Sequence, residues 1–204
     1  MNDKFFKLPL EKQQRILNAA YKVFSENSYK KAPMSEIAEE GGISKALLFH
    51  YFHNKKELYL YLWAQAIEMT RETISQYNIF ESSNFFQILK GTVQAKCSLM
   101  KIYPRLYAFS LRAYYEMNEE VKTSVQESYS IISRMSEQTL WKKIDRTLLR
   151  NDISLEFMYK EIFYAVDGYM LDKYRSNQID AEIIEYELMN MIDFWEKIYT
   201  KIEG

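Results

Sequence analysis

The chain has 204 residues, 48% hydrophobic and 27% charged, with five Gly, three Pro and a formal net charge of -1. That balance belongs to a globular chain of one or two domains with short connections, and it excludes disordered polymers and collagen-like rods. Its longest run without a charged side chain, Leu58 to Ile67, covers only about half of a membrane span, so no membrane partner is expected. The opening MNDKFFKLPLEK lacks the apolar core of a secretory signal, and the single Cys97 suits a reducing interior, so the expected location is cytoplasmic. Charge is uneven along the chain. Residues 1–56 carry ten Lys and Arg against six Asp and Glu, and the remainder carries 17 against 22. A basic first quarter on an acidic body points one end toward a polyanion.

The first helix is predicted over Leu10 to Asn27, where Ile16, Ala20, Val23 and Asn27 share a face widened by Leu17 and Phe24. Pro33 is compatible with a first helical turn, so Met34 opens a short helix, MSEIAEE, that Gly41-Gly42 stops. Ser44 is placed to cap a third helix, KALLFHYF. Asn54 is placed to cap a fourth, from Lys55 to about Ser75, with Glu57 where a capping box needs it. Longer helices follow: Asn84 to Tyr103, Pro104 to about Glu116, Glu119 to about Ile144, one opened by Ser154 and one opened by Asp180. With about nine helices and no credible strand, the fold class is all-α.

The last two helices carry a second pattern. Ile184, Leu188, Met191, Trp195, Ile198 and Ile202 repeat with a period of 3.5, as do Met158, Ile162, Ala165 and Tyr169, beside which Gly168 permits close backbone approach. Such a seam either faces the body of its own subunit or pairs with a second copy. Two of them closing the chain fit a four-helix bundle between subunits, so these residues, Ile202 aside, are the expected dimer contacts.

Residues 34–52 hold the strongest chemical signal. A short helix, a glycine turn and a second short helix follow the helix-turn-helix plan, with Ala38 small at the crossing, Gly42 in the turn and Leu48 packing back. Ile37, Ile43 and Leu48 face inward, which leaves Lys45, Ala46, Leu47, His50 and Tyr51 to meet a major groove. His50 and His53 are the only histidines, without the Glu-x-x-His company of a metal site, and any nucleophilic triad would have to draw on them. Neither a metal, a cofactor nor catalysis is therefore expected, and there is no glycine-rich phosphate loop.

The segment IAEEGGISKALLFHYFHNKKELY resembles the DNA-binding signature of the TetR family of bacterial transcriptional repressors, IA-x-x-AGVSKGTLYHYFxxKEEL, over roughly residues 10–62. The resemblance implies a homodimer whose N-terminal three helices bind a palindromic operator. It also implies a larger C-terminal domain that takes a small ligand and thereby releases the DNA. It divides the chain into a DNA-binding domain, 1–55, and a ligand-binding and dimerisation domain, 56–204. Carried over by position, it makes Ser35, Lys45, Leu47, Phe49, His50, Tyr51 and Lys55 the DNA-facing set, with Ser44 capping the recognition helix. Three departures stand out. Pro33 replaces a frequent Thr, removing a phosphate-binding hydroxyl, Phe49 replaces the usual Tyr, removing another hydroxyl, and Leu47 stands where Thr or Ser is common. More of the affinity should then rest on lysines.

Residues 57–204 hold 24 of the 32 aromatic residues and eight of the ten methionines, which makes them the place to look for an apolar pocket. Tyr61, Trp63, Met100, Tyr103, Tyr107, Phe109, Tyr114, Met135 and Tyr164 are the candidate lining, with ordinary core as the alternative. No basic cluster awaits an anionic inducer there, so an aromatic or lipophilic ligand is expected. The competing reading is a helical interaction module, or a DNA-binding regulator without a small-molecule inducer.

Overall fold

The computed structural model describes residues 3–176 and 178–201. Among these residues it contains nine α-helices: α1 (Leu10–Glu26), α2 (Met34–Glu40), α3 (Lys45–Tyr51), α4 (Lys55–Gln76), α5 (Phe85–Ile102), α6 (Leu106–Tyr114), α7 (Lys122–Lys143), α8 (Leu155–Arg175) and α9 (Ala181–Tyr199). The predicted helices are all present, and the ends that move do so for local reasons. Leu106 N–H bonds Tyr103 O, making 103–106 a turn ahead of α6. Glu116 Oε1 accepts from the Met117 and Asn118 amides after the helix ends, and Asn118 carries the following turn by accepting from Glu120 N–H. As a result α7 starts at Lys122 rather than Glu119. Asp180 caps α9 through the Glu182 and Ile183 amides.

The chain forms two compact units. The first runs to Met69 and adds Tyr103–Ser133; the second is Thr70–Ile102 with the chain from Arg134 onward. Neither edge falls between residues 55 and 56. In the first unit α1 packs on α2 and α6. Its centre is aromatic, with the Phe24 and Tyr59 rings 4.9 Å apart, Tyr59 and Phe109 5.1 Å, and Tyr21 and Phe109 5.3 Å. The Tyr21 hydroxyl donates to Leu62 O, which supplies the partner a buried phenol needs.

The second unit is built around the α5–α9 pair, its most extensive helix packing. Lys90 of α5 bridges Asp193 and Glu196 of α9 at 2.7 Å each. A Cβ on Gly91 would stand 2.7 Å from Ile79, so glycine sets how closely the 79–81 turn approaches α5. Glu187 of α9 accepts from the Tyr169 hydroxyl and pairs with Lys173, joining α9 to α8.

This packing corrects the dimer residues expected from the 3.5-residue seam. Ile184, Leu188 and Trp195 are buried in α9, and Met158 and Ile162 are buried in α8, all within this chain; Met191, Ala165 and Tyr169 are half-buried. At Met158, Ile162, Ile184, Leu188 and Trp195 the period marks side chains that this chain buries by itself. Gly168 is exposed and a Cβ there would meet nothing within 4 Å, so it serves no close approach inside the chain. Ile198 stays 37% exposed, and Ile202 lies outside the described residues. Other apolar residues point outward, among them Phe157, Phe163 and Tyr164 on α8, and Ile183, Tyr186 and Phe194 on α9.

Candidate nucleic-acid interface

The α2–α3 corner is made by a few local devices. Gly42 has φ 65°, a left-handed conformation that L side chains adopt at a cost. Arg15 of α1 lies against Gly42 and donates Nε–H to Gly41 O at 3.0 Å, which ties the end of α2 to α1. Ser44 Oγ accepts from Leu47 N–H at 3.1 Å and so fixes where α3 begins. Asn54 does the same for α4, accepting from Glu57 N–H at 2.8 Å. The capping box expected there is only half made, because the Glu57 carboxylate meets His53 Nδ1 at 2.9 Å.

These devices set which way each α3 side chain points. Leu48 is fully buried, while Ser44, Lys45, Ala46 and His50 are exposed and Leu47 and Phe49 are half-buried. Lys45 Nζ lies 6.0 Å from the centre of the Phe49 ring, so Phe49, without a hydroxyl, can steady the lysine over its face. Ser35 is exposed in the first turn of α2. Tyr51 departs from expectation: it is only 5% exposed and its ring packs 5.8 Å from that of Phe5, so it supports α3 from behind rather than reading a groove.

Lys55 is also committed differently. Its ammonium donates to the carbonyls of Tyr29 and Lys30, 3.1 Å each, and lies 5.6 Å from the Tyr29 ring centre. Burial pulls its pKa below the ordinary lysine value, partly opposed by Glu120. With two of its three donors engaged, the group holds the α1–α2 turn.

That turn is tied to the far side of the same unit by contacts the sequence does not announce. Tyr29 N–H donates to Glu116 and its hydroxyl to Glu120, at 2.7 and 2.8 Å. Arg112 of α6 donates to Asn27 O at 2.8 Å, and Arg105 pairs with Glu26 at 3.4 Å. Burial first, then the bond to Glu120, pushes the Tyr29 hydroxyl well above the usual phenol range. Separations of 87 and 91 residues explain why no local pattern finds this cluster. Phe5 is missed for another reason. It precedes the first periodic segment, yet it is fully buried, and the Phe5-Phe6 doublet ahead of Pro9 was the available signal.

The nine candidate pocket residues divide between the units. Tyr61, Trp63, Tyr103, Tyr107, Phe109 and Tyr114 belong to the first; Met100, Met135 and Tyr164 belong to the second. Met135 and Tyr164 are 62% and 68% exposed, because α7 and α8 turn those positions to solvent, so neither lines a buried pocket within this chain. Phe109 is fully buried in the aromatic core, and Trp63 is buried with Nε1–H on Ser128 Oγ at 2.7 Å. Tyr61 packs against Phe5 and Phe52, and burial pushes its hydroxyl up to about 12. Met100 and Tyr103 are buried, and Tyr107 and Tyr114 are half-buried. Gln126, Glu127, Ser130 and Ile131 line a shallow, open depression on α7. Among the described residues no group of three or more His, Cys, Asp or Glu is arranged to hold a metal, and no helix is long and apolar enough to cross a membrane.

Residues 16–62 match the profile of the bacterial regulatory proteins of the tetR family. The chain is 22% identical over 168 residues to the HTH-type transcriptional repressor AcnR of Corynebacterium efficiens, a match covering 79% of this chain and 81% of that one. Its fold resembles the crystal structure of the MbdR regulator from Azoarcus sp. CIB, with a TM-score of 0.69, 17% identity and coverage of 89% and 96% of the two chains. It also resembles FadR from Bacillus subtilis in complex with stearoyl-CoA, with a TM-score of 0.57, 19% identity and coverage of 87% and 96%.

Proposed function

The chain belongs to the TetR family of bacterial transcriptional regulators and is a regulator rather than an enzyme; from that premise we propose that it is a dimeric, cytoplasmic repressor of a palindromic operator, released by a lipophilic ligand. The observation that carries the DNA reading is the orientation of α3. Ser44 and Gly42 set its start, Leu48 anchors it, and Lys45, Leu47 and His50 lie on the side away from the core. Residues 1–55 are the DNA-binding division, in which Ser35, Lys45 and the remaining Lys55 donor serve phosphate and Leu47 meets an apolar groove feature such as a thymine methyl. Phe49 acts through Lys45, and Tyr51 holds α3 in place.

Residues 56–204 supply the dimer and the response. The outward apolar side chains Phe157, Tyr164, Ile183, Tyr186 and Phe194, extended by Ile198, are the surface a second copy would cover. For the response, the bonds from Arg112, Glu116 and Glu120 to Asn27 and Tyr29 support a mechanical link from the α6–α7 region to the turn that Lys55 holds. A ligand that favours another placement of α6 would shift that turn and with it α3. It releases DNA only to the extent that it binds the two placements with different affinity. The acyl-CoA in the FadR relative supports a lipophilic class. The close packing of Phe109 with Tyr21, Phe24 and Tyr59 favours the competing reading, a regulator without an inducer.

A gel shift against the DNA upstream of its own gene tests the first part, with a discrete complex competed by specific but not scrambled duplex as the expected result. Titrating long-chain acyl-CoA and free fatty acid into that complex tests the second. Operator affinity should fall as ligand is added, and ligand affinity should fall by the same factor when operator is present. An operator complex indifferent to these ligands supports the inducer-free reading.

A further inference from the structure

The segment before α1 is an ordered part of the DNA-reading head. Phe5 is fully buried, with its ring centre 5.8 Å from Tyr51, 5.0 Å from Phe52 and 6.0 Å from Tyr61. Residues 3–8 form two consecutive turns, closed by Phe6 N–H on Asp3 O and Leu8 N–H on Phe5 O. Gln13 of α1 secures them, its side-chain amide donating to Leu8 O at 2.9 Å and to Phe6 O at 3.3 Å. A buried aromatic anchor together with a side-chain clamp is more than a loose leader needs. It positions the segment against the last turn of α3, where Tyr51 lies beside the exposed His50.

Lys4 and Lys7 are exposed on this segment, whose one acidic residue is Asp3. Seven residues of α3 span roughly 10 Å, close to the ~12 Å width of a major groove. A helix of that length lying in the groove has backbone phosphates within reach of cationic groups at either of its ends. Lys45 stands at the leading end. We propose that Lys4 and Lys7, held by Phe5, are the backbone contacts at the trailing end. The partner is duplex DNA phosphate, and the inference rests on the DNA-binding reading above. These two lysines supply phosphate donors in place of the hydroxyls that Pro33 and Phe49 do not offer.

The test is a salt series on the full chain with a labelled random-sequence duplex, from about 50 to 200 mM salt, where each phosphate contact adds about 0.9 to the log–log slope. Lys4→Ala/Lys7→Ala should lower that slope by close to two and weaken binding by about eightfold per contact at 0.1 M salt. Its helical content should match the wild type. Phe5→Ala should keep the slope, since the charges remain, and still bind less tightly because the segment must be ordered on binding; Phe5→Leu should restore most of the affinity. A wild-type protein that binds while the double lysine variant keeps its full slope overturns the proposal and leaves the DNA reading standing. A wild-type protein that binds no duplex overturns both.

Discussion

The corner at α2–α3 and the helix α9 respond differently to the same kind of reading. At the corner, Gly42, Ser44 and Leu48 each answer a local requirement: a left-handed residue, a cap, an inward anchor. Their side is therefore settled within ten residues of chain. On α9 the 3.5-residue period is equally regular, yet it says only that Ile184, Leu188 and Trp195 are buried together. Whether α5 or a second subunit buries them is decided by chain far away in sequence. A local constraint specifies a partner, whereas a periodic one specifies only a face.

Charge placed on adjacent residues of α9 gives the sharpest break of that comparison and the largest effect. Trp195→Glu puts an unpaired carboxylate into the α5–α9 core and removes a large apolar side chain, costing on the order of 4 kcal/mol or more. Loss of cooperative unfolding or a large drop in the urea midpoint is expected. Phe194→Glu, one residue earlier and 61% exposed, should leave helical content unchanged and convert a sedimenting dimer to monomer at micromolar concentration. If both variants unfold alike, the assignment of faces on α9 is wrong; a wild-type monomer would remove the dimer.

Two glycines extend the same contrast at smaller scale. Gly42→Val forces a β-branched residue into the left-handed region and should cost about 1–3 kcal/mol in urea unfolding, with DNA binding lost before helicity. Gly168→Ala should raise stability by about 0.5–1 kcal/mol, because the helical position gains propensity and the added Cβ meets nothing in the chain. A drop in dimer affinity accompanying that gain would place Gly168 against the partner. Equal destabilisation of both variants would show that exposure of Gly168 in one chain misstates its surroundings.

What the sequence made legible follows the range of the forces involved. Helix starts at Met34, Lys45, Lys55 and Ala181 were readable because proline, serine, asparagine and aspartate act within one turn. So was the exposure of Lys45 and His50. Tyr51 was misread because helical spacing alone gives it a place beside Leu47 and His50, while Phe5, before the first periodic segment and 46 residues ahead of Tyr51, closes that side. The Tyr29, Glu116 and Glu120 cluster had no signal at all, since each member looks like an ordinary surface residue until the fold brings them together. Met135 and Tyr164 failed as pocket lining because aromatic or thioether character reports what a side chain prefers, and α7 and α8 present both outward.

The smallest expected effects separate specificity from affinity inside the reading head. Leu47→Ala removes apolar contact and no hydrogen bond, so it should cost about 1 kcal/mol at one or two operator base pairs and nothing on random duplex. Lys55→Ala should act on operator and random DNA alike, because a phosphate carries no sequence. Its salt slope should fall by about one if the third donor reaches a phosphate. The same variant also releases the carbonyls of Tyr29 and Lys30, so a modest fall in thermal stability should accompany it. Lys55→Arg discriminates between the two roles: a guanidinium keeps the charge and the slope, but its planar fork cannot reproduce an ammonium placed over the Tyr29 ring between two carbonyls. If arginine restores the slope while stability stays low, Lys55 serves the turn and the DNA separately. If neither variant changes the slope, Lys55 belongs to the turn alone, and the basic contacts of the head lie entirely with Lys45 and the segment before α1.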